Sequence, residues 1–534
     1  MGIPAGRLDG QVETPSQAAD CPVVSASVYK APQPATDSEA HGRHQSVFSE
    51  MLADKDSTIP MSELNRKQAL AKLVEALDQL YPQGSYDPEA LEGMPDFVTA
   101  RNGHERLFTR PAKLALMSLA YAWHKEAPKL AIRVEAKQLE SLLRQRVADL
   151  HADGMLRGDA SENLRGLDQI VQQTLQQTAT DFTHSFPART LGMEYAEPFV
   201  IGPVTIMTRE QWIDAVDFSE YAKKNAPDGE ETNQDWKAEL RHALSKPKGV
   251  VTPDEVPMRW LATLMYGPLK TGRSLLRVEL SGYERSLSTK AARHICKTAL
   301  DGLSLILGGD GHFHTQTLAD ERMVPVSYHT VIEQSGFLLA PGFGLNKQVP
   351  GLNGKQVKEM FDHDRALTMR DALAHILDGL VSPASHPHPL LAMRWATALD
   401  WLAEGTREVS EAIALAKIGT SLDVLTEGGK FGKILDMLTH LTGWTEQHEF
   451  LVGSNPRNLR WLVKELYDHG RSKILHGNVF DRLQTFAEMR TVGATLARVA
   501  LIECALRLRH YTGPDDHTAF RTIPSASADP APEK

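Results

Sequence analysis

The stretch WLVKELYDHGRSKILHGN, residues 461–478, decides how the chain is read. Its first half extends the apolar stripe Leu459, Leu462, Val463 and Leu466, the i, i+3, i+4, i+7 spacing of a helix buried along one side. Its second half replaces that stripe with Tyr467, Arg471, Ser472, Lys473 and His476. Gly477 and Asn478 follow, and both residue types tolerate the left-handed backbone that ends helices. Ser472 and His476, four apart, share a helix face. Arg471 and His476, five apart, diverge by about 140° on a regular α-helix. One helix therefore aims both at one point only where it ends or bends, and Gly470 loosens the turn just before them. An Arg and a His at an exposed helix end can also converge with the same pair from a second copy. At such an exposed end, truncating either residue is expected to cost little stability.

Apolar helical periods surround this string from about 364 to 511. They include Trp395, Leu399 and Leu402; Val409, Ile413 and Ala416; Ile434, Leu435, Leu438 and Leu441; and Leu483 through Leu506. The expectation is a bundle of four or five antiparallel helices over 364–512. Residues 346–363 read as a linker. Residues 189–345 read as an α+β domain, with strands in FVIGPVTIM (199–207), SLLRVELSG (274–282), FHTQTL (313–318), VPVSYHTVIEQ (324–334) and GFLLAPG (336–342), and one amphipathic helix over 287–308. Residues 59–188 carry helical periods near 62–80, 111–126, 128–151 and 161–179, and read as a helical domain. Residues 1–58 and 513–534 show no sustained period and read as disordered tails. The first holds four Lys/Arg against eight acids, net −4, and is expected to be dispensable for activity. The fold class expected is multidomain and mainly α.

Composition sets the outer limits. A chain of 534 residues has room for two to four domains. With 58 Lys+Arg against 68 Asp+Glu it carries −10 overall, which excludes a cation-coated nucleic-acid packager. Cys21, Cys296 and Cys504 are far apart and no CxxC occurs, so neither a disulfide scaffold nor a thiolate zinc site is expected. No apolar run reaches the ~20 residues of a membrane span. The first twenty residues lack a secretory apolar core, and Gly2 is not followed by a myristoylation pattern. The expected location is cytoplasmic, with no membrane partner.

Tyr467 followed by RSKILHG (471–477) resembles the Arg-x4-6-His motif of HEPN-superfamily ribonucleases. It is most similar to the ApeA-like branch, whose bundles tend to end in a Tyr, an Arg-Ser and a His-Gly. The resemblance covers about 365–511, and 189–345 resembles more weakly the N-terminal portion of ApeA-type anti-phage proteins. It implies a homodimeric, metal-independent endoribonuclease with no cofactor, whose release on phage infection, by a phage-derived trigger, stops growth. Arg471, Ser472 and His476 would be catalytic, and Tyr467, Lys473 and Asn478 would support or bind RNA, with tRNA among the candidate substrates. The competing class is a non-catalytic HEPN module that dimerises or binds RNA or a protein partner.

The residue types suit that chemistry. RNA cleavage needs a proton taken from the 2′-OH, a proton given to the 5′-oxygen and support for a negative phosphorane. Histidine takes or gives a proton near neutrality, and arginine offers parallel hydrogen bonds to phosphate oxygens. Residues 457–511 hold ten Lys/Arg and five acids, +5, so a basic phosphate-binding surface is expected there. Other candidates are weaker. His312 and His314 would share a strand face as metal ligands can, though loop residues beside Gly308-Gly309 explain them more simply. Asp362-His363-Asp364 reads as a loop before a helix, and HPHP (386–389) as a helix-opening loop. GFGLNK (342–347) lacks the order of a P-loop, and Cys296 and Cys504 read as core.

Overall fold

α1 (Arg66–Leu80) starts where Asn65 accepts the Gln68 N–H at 2.9 Å while the Gln68 side chain returns a bond to the Asn65 N–H at 3.2 Å, a reciprocal cap. The structure is a computed structural model. It describes residues 65–525 apart from 92–93, 127–133, 179, 194–197, 228–234, 247–257, 322–324, 340–341, 346–352, 452–455 and 478–482. The expectations for 1–58 and for Asn478 fall outside those residues. The described chain is mainly α-helical, with a small antiparallel sheet.

A hairpin, β1 (Asp96–Thr99) with β2 (Glu105–Phe108), follows α1, and then come α2 (Arg110–Glu126), α3 (Ala136–Ala152) and α4 (Ala160–Thr178). Leu70, Leu73 and Leu77 of α1 meet Trp123, Leu143 and Leu167 in one apolar core. The hairpin was absent from the expected helical region because its strands are only four residues long.

β3 (Thr180–Arg189), β4 (Phe199–Ile201), β5 (Val204–Thr208), β6 (Ser274–Tyr283) and β7 (Thr317–Leu318) form one sheet in the order β4-β5-β6-β3-β7, every pair antiparallel. β3 corrects the sequence reading. It lies inside the sheet, yet the boundary drawn at 188/189 cuts through it. Its core-side residues Phe182, His184 and Phe186 alternate with Thr183 and Ser185, and the histidine hides the apolar period. Between β5 and β6, α5 (Arg209–Ala215), α6 (Trp236–Ser245) and α7 (Trp260–Leu269) gather around buried Trp236, Leu240 and Leu261.

α8 (Arg285–Leu307) packs on β3 and β6 and also on the helices that follow. α9 (Asp310–Thr315) holds His312, Phe313 and His314, so the strand expected over 313–318 is reduced to β7. Gly308 and Gly309, both at positive φ, break α8 and let a new helix start with Asp310 in its first turn. β8 (Ser327–Thr330), β9 (Glu333–Gln334), β10 (Phe337–Leu338) and β11 (Gly342–Leu345) form two-stranded ribbons outside the main sheet. α10 (Gly354–Phe361) then replaces the second half of the expected linker. Its Val357 and Phe361 are buried, with the Phe361 ring 5.4 Å from that of Phe199.

The last set is α11 (Asp364–Val381), α12 (Pro389–Arg407), α13 (Glu411–Leu425), α14 (Lys430–Thr442), α15 (Leu459–Glu465) and α16 (Ala487–Leu508). α15 runs directly into a π-helical turn (Leu466–Ser472) and one last α-turn (Lys473–Leu475). Gly302 brings α8 onto α11, since a Cβ there would sit 2.5 Å from the Leu373 side chain. Buried Asp301 of α8 pairs with Arg407 of α12, and Lys297 reaches Asp400 at 2.6 Å. Burial pushes the Asp301 carboxyl up, but Arg407 and Lys297 outweigh it and hold it below the usual carboxylate range. The sheet, α8 and the C-terminal helices therefore share one apolar core, from Ala188 to Ile523.

Residues 513–525 are not a loose tail. Asp515 accepts the Leu390 and Leu391 N–H groups at 2.9 and 3.0 Å, capping α12 from a distant part of the chain. Phe520 and Ile523 are buried in the core, and Arg507 donates to the Ile523 carbonyl at 3.0 Å. Partners far away in sequence order this segment, so no local period reveals it.

Candidate functional site

Leu459, Leu462, Val463 and Leu466 anchor α15 in the core, and the chain then changes its winding. The π turn places one extra residue in each hydrogen-bonded ring relative to an α-helix. The 140° divergence of a regular helix does not carry over to Arg471 and His476, because the backbone between them is partly π-helical and ends at His476. Gly477, at φ +70°, closes the helix with its N–H on the Ile474 carbonyl at 3.1 Å.

Arg471 is turned inward. Its Nη2 lies 2.9 Å from Asp423 Oδ2 on α13, and its Cζ stands 5.5 Å from the centre of the Tyr467 ring. Arg471 Nε and Asp423 Oδ1 are buried without a hydrogen-bond partner among the described residues. Burial raises the Asp423 pKa above the usual carboxylate value, and Arg471 opposes the rise. Gly419, one turn earlier on α13, makes the approach possible, since a Cβ there would stand 3.0 Å from Arg471 Cβ. The expectation that Arg471 sits at an exposed end, cheap to truncate, is therefore corrected: it is a half-buried member of an ion pair.

His476 is exposed on the helix cap, its N–H bonded to the Ser472 carbonyl at 3.0 Å. Among the described residues its imidazole has no hydrogen-bond or ionic partner, and nothing joins it directly to Arg471. Ser472 and Tyr467 are half-buried, and Lys473 is exposed. One turn earlier, His469 Nδ1 lies 2.6 Å from Glu465 Oε1. The reading of the sequence missed Asp423, although an aspartate flanked by Leu422, Val424 and Leu425 on a helix with an apolar period is a signal that it has a buried partner.

Much of the expected basic charge is paired with acids and carbonyls. Arg457 pairs with Glu488, Arg460 with Glu446, Arg498 with Asp310 and Arg509 with Asp371. Arg490 donates to the Thr406 carbonyl at 2.9 Å, and buried Arg507 to the Ile523 carbonyl. Lys464 and Lys473 remain exposed beside the π turn.

The other candidates separate. His312 and His314 are buried two positions apart on α9, which points them to opposite sides of a helix rather than along one strand face. Burial, and then Arg498, lower the His312 pKa. Among the described residues, no group of three or more His, Cys, Asp or Glu side chains is placed to hold a metal ion. Asp362 ends α10 and His363 precedes α11. His386 lies 3.4 Å from His375 Nδ1, and His388 Nε2 stands 3.0 Å from the Gly513 carbonyl, so these imidazoles bind the C-terminal segment to α11 and α12. Gly342–Leu345 of GFGLNK is strand β11. Cys296 and Cys504 are buried thiols whose pKa burial pushes up. No helix among the described residues is long and apolar enough to cross a membrane. Comparison of the chain with protein-family models, with curated protein sequences and with solved structures returned no match.

Proposed function

We propose that the chain is a metal-independent endoribonuclease of HEPN type, acting as a homodimer through its C-terminal helices in defence against phage. The observation that carries the reading is a pair of unlike groups five residues apart. His476 is an exposed imidazole at a helix cap with no partner among the described residues, and Arg471 is a guanidinium oriented by Asp423. RNA supplies its own nucleophile. His476 takes the 2′-OH proton, the 2′-oxygen attacks phosphorus as the bond from phosphorus to the 5′-oxygen breaks, and the 5′-oxygen takes its proton from water. Arg471 donates to the non-bridging oxygens as charge builds on them. The products are a 2′,3′-cyclic phosphate and a 5′-OH. Exposed Lys464 and Lys473, beside the π turn, supply cationic side chains for an RNA backbone in this reading.

The test is cleavage of end-labelled RNA by the full chain with EDTA present. The wild-type chain cuts, and His476→Ala loses roughly 100- to 10,000-fold in rate, the usual worth of a positioned acid–base group. Full activity in His476→Ala with unchanged products would sink the mechanism. The second reading, a non-catalytic module that binds RNA or a partner, is favoured by the existing engagement of Arg471 with Asp423 and Tyr467. It predicts RNA binding without cleavage, indifferent to His476→Ala.

A further inference from the structure

Three imidazoles meet where the C-terminal segment crosses the helices. His375 lies on α11, and His386 and His388 lie on the loop that leads into α12. The His375 and His386 ring centres stand 4.4 Å apart, and the His388 ring is 5.0 Å from that of Tyr511. Gly379 of α11 makes the space, since a Cβ there would stand 2.9 Å from His386 Nδ1. His388 is buried, and the other two are half-buried.

Their partners fix where each proton sits. A backbone N–H only donates, so His386 Nδ1 accepts from the His388 N–H at 3.1 Å and the ring carries its proton on Nε2. That Nε2–H points to His375 Nδ1 at 3.4 Å, which leaves the His375 proton on Nε2. A carbonyl only accepts, so the His388 Nε2–H donates to the Gly513 carbonyl at 3.0 Å. A second proton fits none of the three rings. On His375 Nδ1 or His386 Nδ1 it sets donor against donor. On His388 Nδ1 it lies buried, with no partner among the described residues. Burial lowers the His375 pKa to about 4, and His386, His388, Arg509 and His510 push the same way. Burial and then His388 lower that of His386, against the charges of Asp378 and Asp515. Two nearby acids are engaged elsewhere: Asp515 holds the Leu390 and Leu391 N–H groups, and Asp371 pairs with Arg509.

We propose that the three histidines form a latch that acid opens, freeing the start of the C-terminal segment, residues 511–517, from the N-terminus of α12. The His388–Gly513 bond and the Asp515 cap hold that start side by side. A histidine whose pKa falls on folding stabilises the closed state at neutral pH, and that stability is lost as pH falls through ~6.5 toward the folded value. Further along, buried Phe520 and Ile523 and the bond from Arg521 to the Thr426 carbonyl keep the end of the segment seated. His440 donates to the Ile523 carbonyl, and a protonated ring donates there equally well. Arg394 donates to His517 Nδ1 at 2.7 Å, so exposed His517 is a separate acid-sensitive contact that serves as a control. The latch is independent of RNA cleavage.

Hydrogen exchange of the full chain, read by mass spectrometry and corrected for the intrinsic effect of pH on exchange, tests it. From about pH 7.5 to about pH 5.5, opening of 386–391 and 511–517 should rise at least roughly tenfold, the factor for one histidine whose pKa falls from ~6.5 to about 4 on closing. Exchange in α13 and α14 should stay unchanged. His375→Gln cannot take the proton and should cut the rise to about threefold or less. His386→Asn, which keeps an oxygen for the His388 N–H, is the second variant and should act the same way. His517→Gln should keep the full rise. A wild-type chain with no rise overturns the proposal, as does one in which α13 and α14 lose protection together with the segment. So does a rise that persists in both His375→Gln and His386→Asn, or one that vanishes in His517→Gln.

Discussion

At the scale of single residues, Asp423 changes what a substitution at the motif means. Arg471→Ala leaves a half-buried carboxylate with no cation, costing about 1–3 kcal/mol. The pH dependence has a definite sign. Asp423 already binds its proton more tightly when folded, because burial raises its pKa, and removing Arg471 removes the opposing influence. A raised carboxyl pKa favours the folded state at low pH, and that advantage fades as pH rises through the folded value. The deficit of Arg471→Ala against wild type should therefore be largest near neutrality and shrink on acidification toward the carboxylate range. Urea midpoints at neutral and at mildly acidic pH measure it, and a deficit that grew with acid would contradict the assignment. His476→Ala, at an exposed cap with no partner among the described residues, should change stability by less than ~0.5 kcal/mol.

At the scale of elements, the π turn and α13 form a matched pair. Gly419 lets Arg471 Cβ approach, and a Cβ added at Gly470 or at Gly493 of α16 would stand 3.0 Å from the Leu415 or the Leu466 side chain. A wide helical turn needs this room on its packed side. Gly419→Val should force α13 away from the turn, cost about 1–3 kcal/mol and, under the proposed ribonuclease mechanism, abolish RNA cleavage with His476 intact. Gly432 on α14 is the control, since a Cβ there meets nothing within 4 Å. Gly432→Ala should stabilise by roughly 0.5–1 kcal/mol through helix propensity alone. Chemical denaturation of the two variants reads the contrast; a Gly419→Val chain as stable as the wild type would show that the glycine at 419 is incidental.

At the scale of the whole molecule, the sheet and the helical C-terminal region hold each other. Asp301 and Arg407 tie α8 to α12, and residues 513–525 close the far side. Phe520 is fully buried there, so Phe520→Ala should cost about 3–5 kcal/mol, the range for a large aromatic removed from a core. A dispensable tail would show almost no change. The measurement is the urea midpoint of the full chain.

The sequence by itself determined the helices whose apolar residues repeat with the helical period: α1, α8, α12, α13, α14 and α15 all lie on stripes visible in it, because burial along one face imposes that repeat. It also determined the capped end at Gly477, since few residues tolerate that backbone. The tertiary structure alone decided the rest. The segment 180–189 became a strand inside the sheet through its neighbours β6 and β7, against a weak local pattern. Residues 513–525 were ordered by Arg507 and, from 95 and 125 positions away, by Thr426 and the α12 N-terminus. Arg471 was spent on Asp423, 48 positions earlier, and most of the basic charge of 457–511 was paired with acids and carbonyls supplied by other helices. Periodicity is a property of one element and survives in the string of residues. The partner of a charge is a property of two elements, and it exists only once they pack.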